Sequence, residues 1–173
     1  MILADWEIQD YRPVDPVLEK TKINDGPSFG LSSYGYDIRL GTRFIRFDTN
    51  GKAINEERPK LEPDIIGHNP NYEIPSGGFV LAESEEWFTM PSTITGMVKD
   101  KSTYARRGIA VQNTVIEAGW HGRLTLEISN HSPIPVKLFV GQGIAQVLFF
   151  RGTRCDSPYE GKYQGDTKVS QAR

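Results

Sequence analysis

A compact all-β barrel or sandwich with very small helical inserts is the fold class this sequence predicts, and three observations carry it. Short apolar or alternating stretches recur along the whole chain. Clusters of Gly, Pro, Asn and Asp separate them, which is the punctuation of tight turns. Helical periodicity is scarce, and 173 residues with 38% hydrophobic content suit one domain with a real core.

The elements follow in order. Residues 3 to 11 predict a short helix with Asp5 near its start. "RFIRF" (43–47) predicts a strand, and residues 48–75, with "NGK", "ERPKLEP" and "HNPN", predict a surface excursion poor in apolar groups. "GFVLAESEEWFTM" (78–90) and "TITGMVK" (93–99) predict strands. "KSTYARRG" (101–108) predicts a second small helix, with Ser102 or Thr103 as N-cap and Gly108 as its stop. Strands are again expected in "GIAVQNTVI" (108–116), "RLTLEIS" (123–129), "VKLFV" (136–140) and "GIAQVLFF" (143–150). The last is apolar on both faces except at Gln146, which predicts a central, buried strand. From "SPYEGKYQG" onward apolar residues are few, so the expected layout is one domain over 1–158 and a tail over 159–173.

Charge and cysteine use narrow the function classes. A net charge of −2 without a long like-charge run lacks the footprint of a duplex-binding protein, so no nucleic-acid partner is expected. One cysteine, Cys155, rules out an internal disulfide framework. "MILADWEIQDY" lacks the basic-then-apolar pattern of a signal peptide, and no apolar run approaches about 18 residues. The expectation is a soluble, cytoplasmic protein without a membrane partner.

Three places can carry chemistry. Alternation in "RLTLEIS" puts Leu124, Leu126 and Ile128 on one strand face and Arg123, Thr125, Glu127 and Ser129 on the other. Glu127 is then either a solvent-facing glutamate, the commoner outcome, or a functional carboxylate. In the second helix Ser102 and Arg106 are four residues apart and share a face, with Lys101 and Thr103 at its N-terminus. That is either a cradle for an anion or a capped turn with solvated charges. Gln146, on a buried strand, needs partners, and these are either neighbouring backbone or a ligand.

Some chemistries are excluded. Zinc deaminases need three or four clustered His, Cys or carboxylate ligands, whereas this chain offers one Cys and only His68, His121 and His131. No zinc is expected. Walker A and GxGxxG patterns are absent as well, and no GxSxG nucleophile elbow is expected.

Five stretches in order, "SSYGYDIRLG" (32–41), "KSTYARRGI" (101–109), "GWHGRLTLEISN" (119–130), "GIAQVLFF" (143–150) and "GKYQG" (161–165), resemble the dCTP deaminases of the trimeric dUTPase superfamily. The resemblance implies a dUTPase-like distorted, jelly-roll-like β-barrel that is a homotrimer, with sites at subunit boundaries and the tail closing over nucleotide. It implies zinc-independent deamination of dCTP, or of a 5-substituted dCTP, with magnesium carried by the triphosphate. Glu127 matches the family's catalytic glutamate, with Ser102 and Arg106 as its partners. Lys101, Ser102, Thr103 and Gln146 match phosphate contacts, Arg106 a nucleotide contact beside Glu127, Glu117 and Trp120 the deoxyribose segment, and Tyr159, Lys162 and Gln164 tail contacts. The chain departs from the pattern at Glu117, where many members have Asp, and around "VQNTV" (111–115). It departs again after "KYQG", with Asp166 and "TKVSQAR". The rival readings are a dUTP pyrophosphatase, a bifunctional enzyme, and a nucleotide-binding module without turnover.

Overall fold

The computed structural model describes residues 1–23, 26–58 and 70–173. Helix α1 spans Asp5–Tyr11, and the Glu7 carboxylate accepts the Ala4 N–H at 3.0 Å before the first turn. Strands then follow in close succession: β1 (Val14–Asp15), β2 (Thr21–Ile23), β3 (Gly26–Leu31), β4 (Tyr36–Phe47) and β5 (Ala53–Glu57). Next come β6 (Asn71–Ile74), β7 (Phe79–Ser84), β8 (Trp87–Thr89) and β9 (Ile94–Asp100), and the single turn α2 (Ser102–Ala105). The chain continues with β10 (Ile109–Val111), β11 (Val115–Ile116), β12 (His121–Gly122), β13 (Thr125–Asn130), β14 (Val136–Phe139) and β15 (Gly143–Arg151).

Among the described residues the main sheet runs β10-β13-β7-β4-β15-β9-β11, with β3 and β5 also on β4 and β2 on β3. Two smaller sheets, β1-β8-β12 and β14-β6, complete the wall. The long strand β4 serves both halves. Tyr36 to Arg39 pair with β15, whereas Phe44 to Arg46 pair with β7, and the register shifts between Leu40 and Phe44. That break bends the sheet around one apolar interior containing Tyr36, Ile38, Leu40, Phe44, Leu126, Ile128, Val147 and Phe149. The mostly-β distorted barrel expected from the sequence is the fold observed.

Three expectations change. "GFVLAESEEWFTM" divides into β7 and β8 because the chain turns where Ser84 Oγ donates to the Glu86 carbonyl at 2.8 Å. The Glu86 side chain is fully buried there, accepting from Arg39 N at 2.8 Å and Arg39 Nε at 2.7 Å. "GIAVQNTVI" divides into β10 and β11, which pair with different neighbours. The excursion expected over 48–75 holds strand at both ends: β5 extends the sheet beside β4, and β6 buries Tyr72 and Ile74. Residues 59–69 of that excursion, including most of "ERPKLEP" and "HN" of "HNPN", lie outside the described residues.

Strand β15 is central, between β4 and β9, as its two-faced apolar pattern predicts. It positions Gln146 opposite Asp37 on one side and Lys99 on the other.

Candidate active site

Strand β13 carries Glu127. Leu126 and Ile128 are fully buried and Leu124 is nearly so, which confirms the alternation; the other face is half-covered rather than open. Glu127 stands opposite Leu81 of β7. On the other side the β10 ladder reaches Val111 opposite Ile128, and Gln112 N–H donates to the Glu127 carbonyl at 2.8 Å. There the ladder stops, because Val115 and Ile116 leave to pair with Met97 and Gly96 of β9. A fork opens between the strands.

The Asn113 side chain spans that fork, its Nδ2 donating to the Thr125 carbonyl at 2.7 Å. Two oxygens at the fork, Asn113 Oδ1 and Glu127 Oε2, are buried with no hydrogen-bond partner among the described residues. Desolvation pushes the Glu127 carboxyl above the ordinary carboxylate range. Such a group takes and returns a proton more readily near neutral pH than a solvated glutamate does.

The second helix is a single turn whose N-cap is Lys101, with no side-chain cap, instead of the expected Ser102 or Thr103. Arg106 is its C-cap, donating its backbone N–H to the Ser102 carbonyl at 3.1 Å. Gly108 ends the turn at φ 80, and a Cβ there would meet Ser132 Cβ at 2.9 Å, so both conformation and space require glycine. Ser102, Thr103 and Arg106 are exposed, and none makes a side-chain hydrogen bond to Glu127 among the described residues. Arg106 lines an open cleft of about 760 Å³ with Arg107, Pro133, Ile134 and Lys137.

Lys101 turns inward instead. Its Nζ is buried 2.6 Å from Asp37 Oδ2 and 3.5 Å from Ser28 Oγ. Lys20 Nζ pairs with the same Asp37 oxygen and lies 3.3 Å from Ser32 Oγ, which Gln146 Nε2 also meets at 3.3 Å. Lys101 and Gln146 therefore belong to one polar cluster. Asp37, Ser28, Ser32 and Lys20 are members that the sequence reading did not select. A signal existed for Asp37 and Ser32, since both lie in "SSYGYDIRLG" and Asp37 is a carboxylate flanked by Tyr36 and Ile38 in a strand.

The sugar-segment candidates sit beside the tail. Glu117 is exposed, and its carbonyl accepts from Trp120 N at 3.2 Å. Trp120 is buried against Phe88, ring centroids 6.3 Å apart, with Nε1 donating to the Tyr163 carbonyl at 2.9 Å. Tyr159 packs half-buried on the core and donates its N–H to the Ala118 carbonyl at 2.9 Å. Gln164 Nε2 donates to the carbonyls of Gly119 (3.0 Å) and Tyr159 (3.1 Å), and its Oε1 accepts from His121 N at 3.0 Å. Lys162 is exposed and reaches the Arg173 carbonyl.

Beyond these, Val169 is buried with Ile45 and Leu81, and Ser170 N–H donates to Thr125 Oγ1 at 3.1 Å. The end of the tail thus lies on the strand face that carries Glu127. Asp166, one of the departures from the family pattern, pairs with Arg173 at 2.7 Å and accepts from Ser170 Oγ at 2.7 Å.

The geometry can be set beside known proteins. The dCTP deaminase-like family profile matches residues 2–152, and the chain belongs to that family. A dCTP deaminase of Campylobacter jejuni is 38% identical over 169 residues, covering 95% of this chain and 91% of the relative. A dCTP deaminase of Helicobacter hepaticus is 38% identical over 165 residues, covering 91% of this chain and 88% of the relative. The crystal structure of 2'-deoxycytidine 5'-triphosphate deaminase from Agrobacterium tumefaciens superposes with a TM-score of 0.64 at 19% identity. That match covers 87% of this chain and 46% of the other, so the chain spans about half of that structure, and the likeness is one of fold. Among the described residues no helix is long and apolar enough to cross a membrane.

Proposed function

We propose that this chain deaminates dCTP, converting it with water to dUTP and ammonia, and that Glu127 moves the protons. The observation that carries the reading is the buried, unpartnered Glu127 Oε2 at the strand fork, in a chain whose curated relatives are dCTP deaminases. Ionised Glu127 takes a proton from the attacking water as its oxygen bonds to C4, and the protonated carboxyl delivers that proton to N3. The hydroxyl of the tetrahedral intermediate then loses its proton through Glu127 to the amine. The C4–N bond breaks, ammonia leaves and the C4 carbonyl forms. No zinc enters this scheme, and burial supplies part of what a metal would otherwise do to the proton affinities.

Lys101 and Gln146 bind the triphosphate, Ser102 and Arg106 orient Glu127, Glu117 and Trp120 hold the deoxyribose, and Tyr159, Lys162 and Gln164 close over the phosphates. Ser102 and Arg106 make no side-chain hydrogen bond to Glu127 of their own chain, which fits a homotrimer whose sites draw on two subunits. Magnesium travels with the triphosphate and offsets phosphate charge. Among the described residues no three or more His, Cys, Asp and Glu side chains cluster to hold a metal ion.

The test is incubation of the chain with dCTP, 5-methyl-dCTP and dUTP plus magnesium, following ammonia and pyrophosphate separately. Ammonia from dCTP without pyrophosphate fits the deaminase reading. Pyrophosphate from dUTP makes the enzyme bifunctional or a pyrophosphatase, and turnover of 5-methyl-dCTP makes the fork around Asn113 wide enough for a substituent. Nucleotide binding with neither product leaves a binding module.

A further inference from the structure

The polar cluster behind α2 holds more positive charge than its own chain neutralises. Lys20 and Lys101 both point at one oxygen, Oδ2 of Asp37, which is 4% exposed at its side chain. Two ammonium groups on one carboxylate leave a net charge of about +1 in a region where Lys101 is 9% exposed at its side chain, so water screens it poorly. The other side chains hydrogen-bonded to these groups are neutral: Ser28 Oγ beside Lys101, and Ser32 Oγ between Lys20 and the Gln146 amide. Lys20 is the geometric link in this group. It shares Asp37 with Lys101 and Ser32 with Gln146, so an anion that touches both Lys101 and Gln146 also lies within reach of the Lys20 ammonium.

The backbone holds Lys20 in place. Leu31 N–H donates to the Leu18 carbonyl at 2.9 Å, and Gly30, at φ 92, lets the Leu18–Glu19 segment lie flush on β3. A Cβ at Gly30 would stand 2.3 Å from the Glu19 carbonyl oxygen and push that segment away. Gly143 admits the Ser28 backbone and Lys101 together, since a Cβ there would collide with the Ser28 carbonyl and stand 3.1 Å from Lys101 Cε. Lys20 nonetheless keeps 37% of its side chain exposed, so unlike Lys101 it can turn from Asp37 to an incoming ligand.

We infer that Lys20 is a polyphosphate-binding residue, and that the triphosphate joins Lys20, Lys101 and Gln146 as the anion that balances the cluster. The inference rests on the nucleoside triphosphate reading above and names a residue outside every motif that supports that reading. It assigns Lys20 to binding and not to the chemical step.

The experiment compares wild type with Lys20→Met, Lys20→Gln and Lys20→Arg. With dCTP and magnesium, the Met and Gln variants are expected to raise KM about tenfold, as loss of one charge-assisted contact does, while kcat stays within about twofold. Lys20→Arg restores most of the affinity. Direct binding of dCTP, dCDP and dCMP should show the Lys20→Met penalty shrinking as phosphates are removed, and inorganic tripolyphosphate should bind wild type more tightly than Lys20→Met. Unchanged affinity for every ligand in Met and Gln variants that fold overturns the inference, as does an equal penalty for dCMP and dCTP. Should Lys20→Met fail to fold, the Gln variant carries the comparison. If wild type releases no ammonia but binds tripolyphosphate through Lys20, the deaminase reading falls and this one stands; ammonia release unaffected by Lys20 gives the reverse.

Discussion

The Asp37 cluster and the Glu127 fork are two polar sites in one barrel, and they differ in how far a single chain completes them. Around Asp37 the polar groups answer one another: Lys20, Lys101, Ser32 and Gln146 form a chain of contacts within one molecule. At Glu127 the chain provides a half-buried carboxyl and leaves its buried oxygen without a donor, while Ser102 on α2 and Arg106 at its C-cap lie exposed. An unpartnered buried polar atom is costly, and proteins retain such atoms where a ligand or a partner will satisfy them. On the proposed reading the phosphate end is therefore preassembled, and the Glu127 end waits for other groups.

The largest expected effect tests the unfinished site. Glu127→Gln should lower ammonia release by about a thousandfold or more, because the amide keeps the shape but cannot shuttle protons. Nucleotide affinity, which depends on the other cluster, should stay within a few-fold. Near-normal turnover in this variant removes Glu127 from the mechanism.

Arg106→Ala comes next, with kcat falling about a hundredfold as Glu127 loses its orientation. If KM alone rises, Arg106 is a phosphate ligand, and it belongs with the preassembled end.

Truncation after Pro158 should have a smaller effect, about tenfold on kcat/KM, with folding retained. The deletion removes Val169 from its place beside Ile45 and Leu81 and takes the Tyr163 carbonyl from Trp120 Nε1, so some loss of thermal stability accompanies the loss of activity. Full activity in the truncated chain would mean that the barrel alone suffices.

The smallest effect concerns stability and pH. Burial raises the folded pKa of Glu127 above its ordinary value of 4.5, so the native state binds the proton more tightly than the unfolded chain. Stability falls as pH rises from 4.5 through the raised folded pKa, and the penalty is complete above it. In an Arg106→Ala background, where no neighbouring guanidinium offsets the burial, Glu127→Gln should then raise the melting temperature at pH 8 by roughly 2–4 °C and give no gain at pH 4. A uniform shift at both pH values would assign the change to packing.

The barrel was legible in the sequence because alternation and turn residues are local signals. The split of "GIAVQNTVI" was not, since it depends on β9 capturing Val115 and Ile116, a pairing set by distant residues. Glu127 could be placed on a face from "RLTLEIS", but its burial arises from neighbouring strands and the folded tail. Lys101 is legible as a helix-terminal cation, but its inward turn toward Asp37 depends on a contact across 64 residues. Lys20 lies in no motif and carries no periodic signal. Only the fold brings it to Ser32 and Asp37.

Complementation tests the central claim, that one chain's Glu127 is completed by another chain's Ser102 and Arg106. Glu127→Gln and Arg106→Ala subunits, each inactive alone, are unfolded together, refolded as a mixture and assayed with dCTP and magnesium. In a symmetric trimer, random assembly pairs an intact Glu127 with a neighbour's intact Arg106 at about a quarter of the sites. The account predicts ammonia release near a quarter of the wild-type rate. A mixture no more active than its parents, though shown to contain mixed trimers, would place both residues in one chain's site and contradict it.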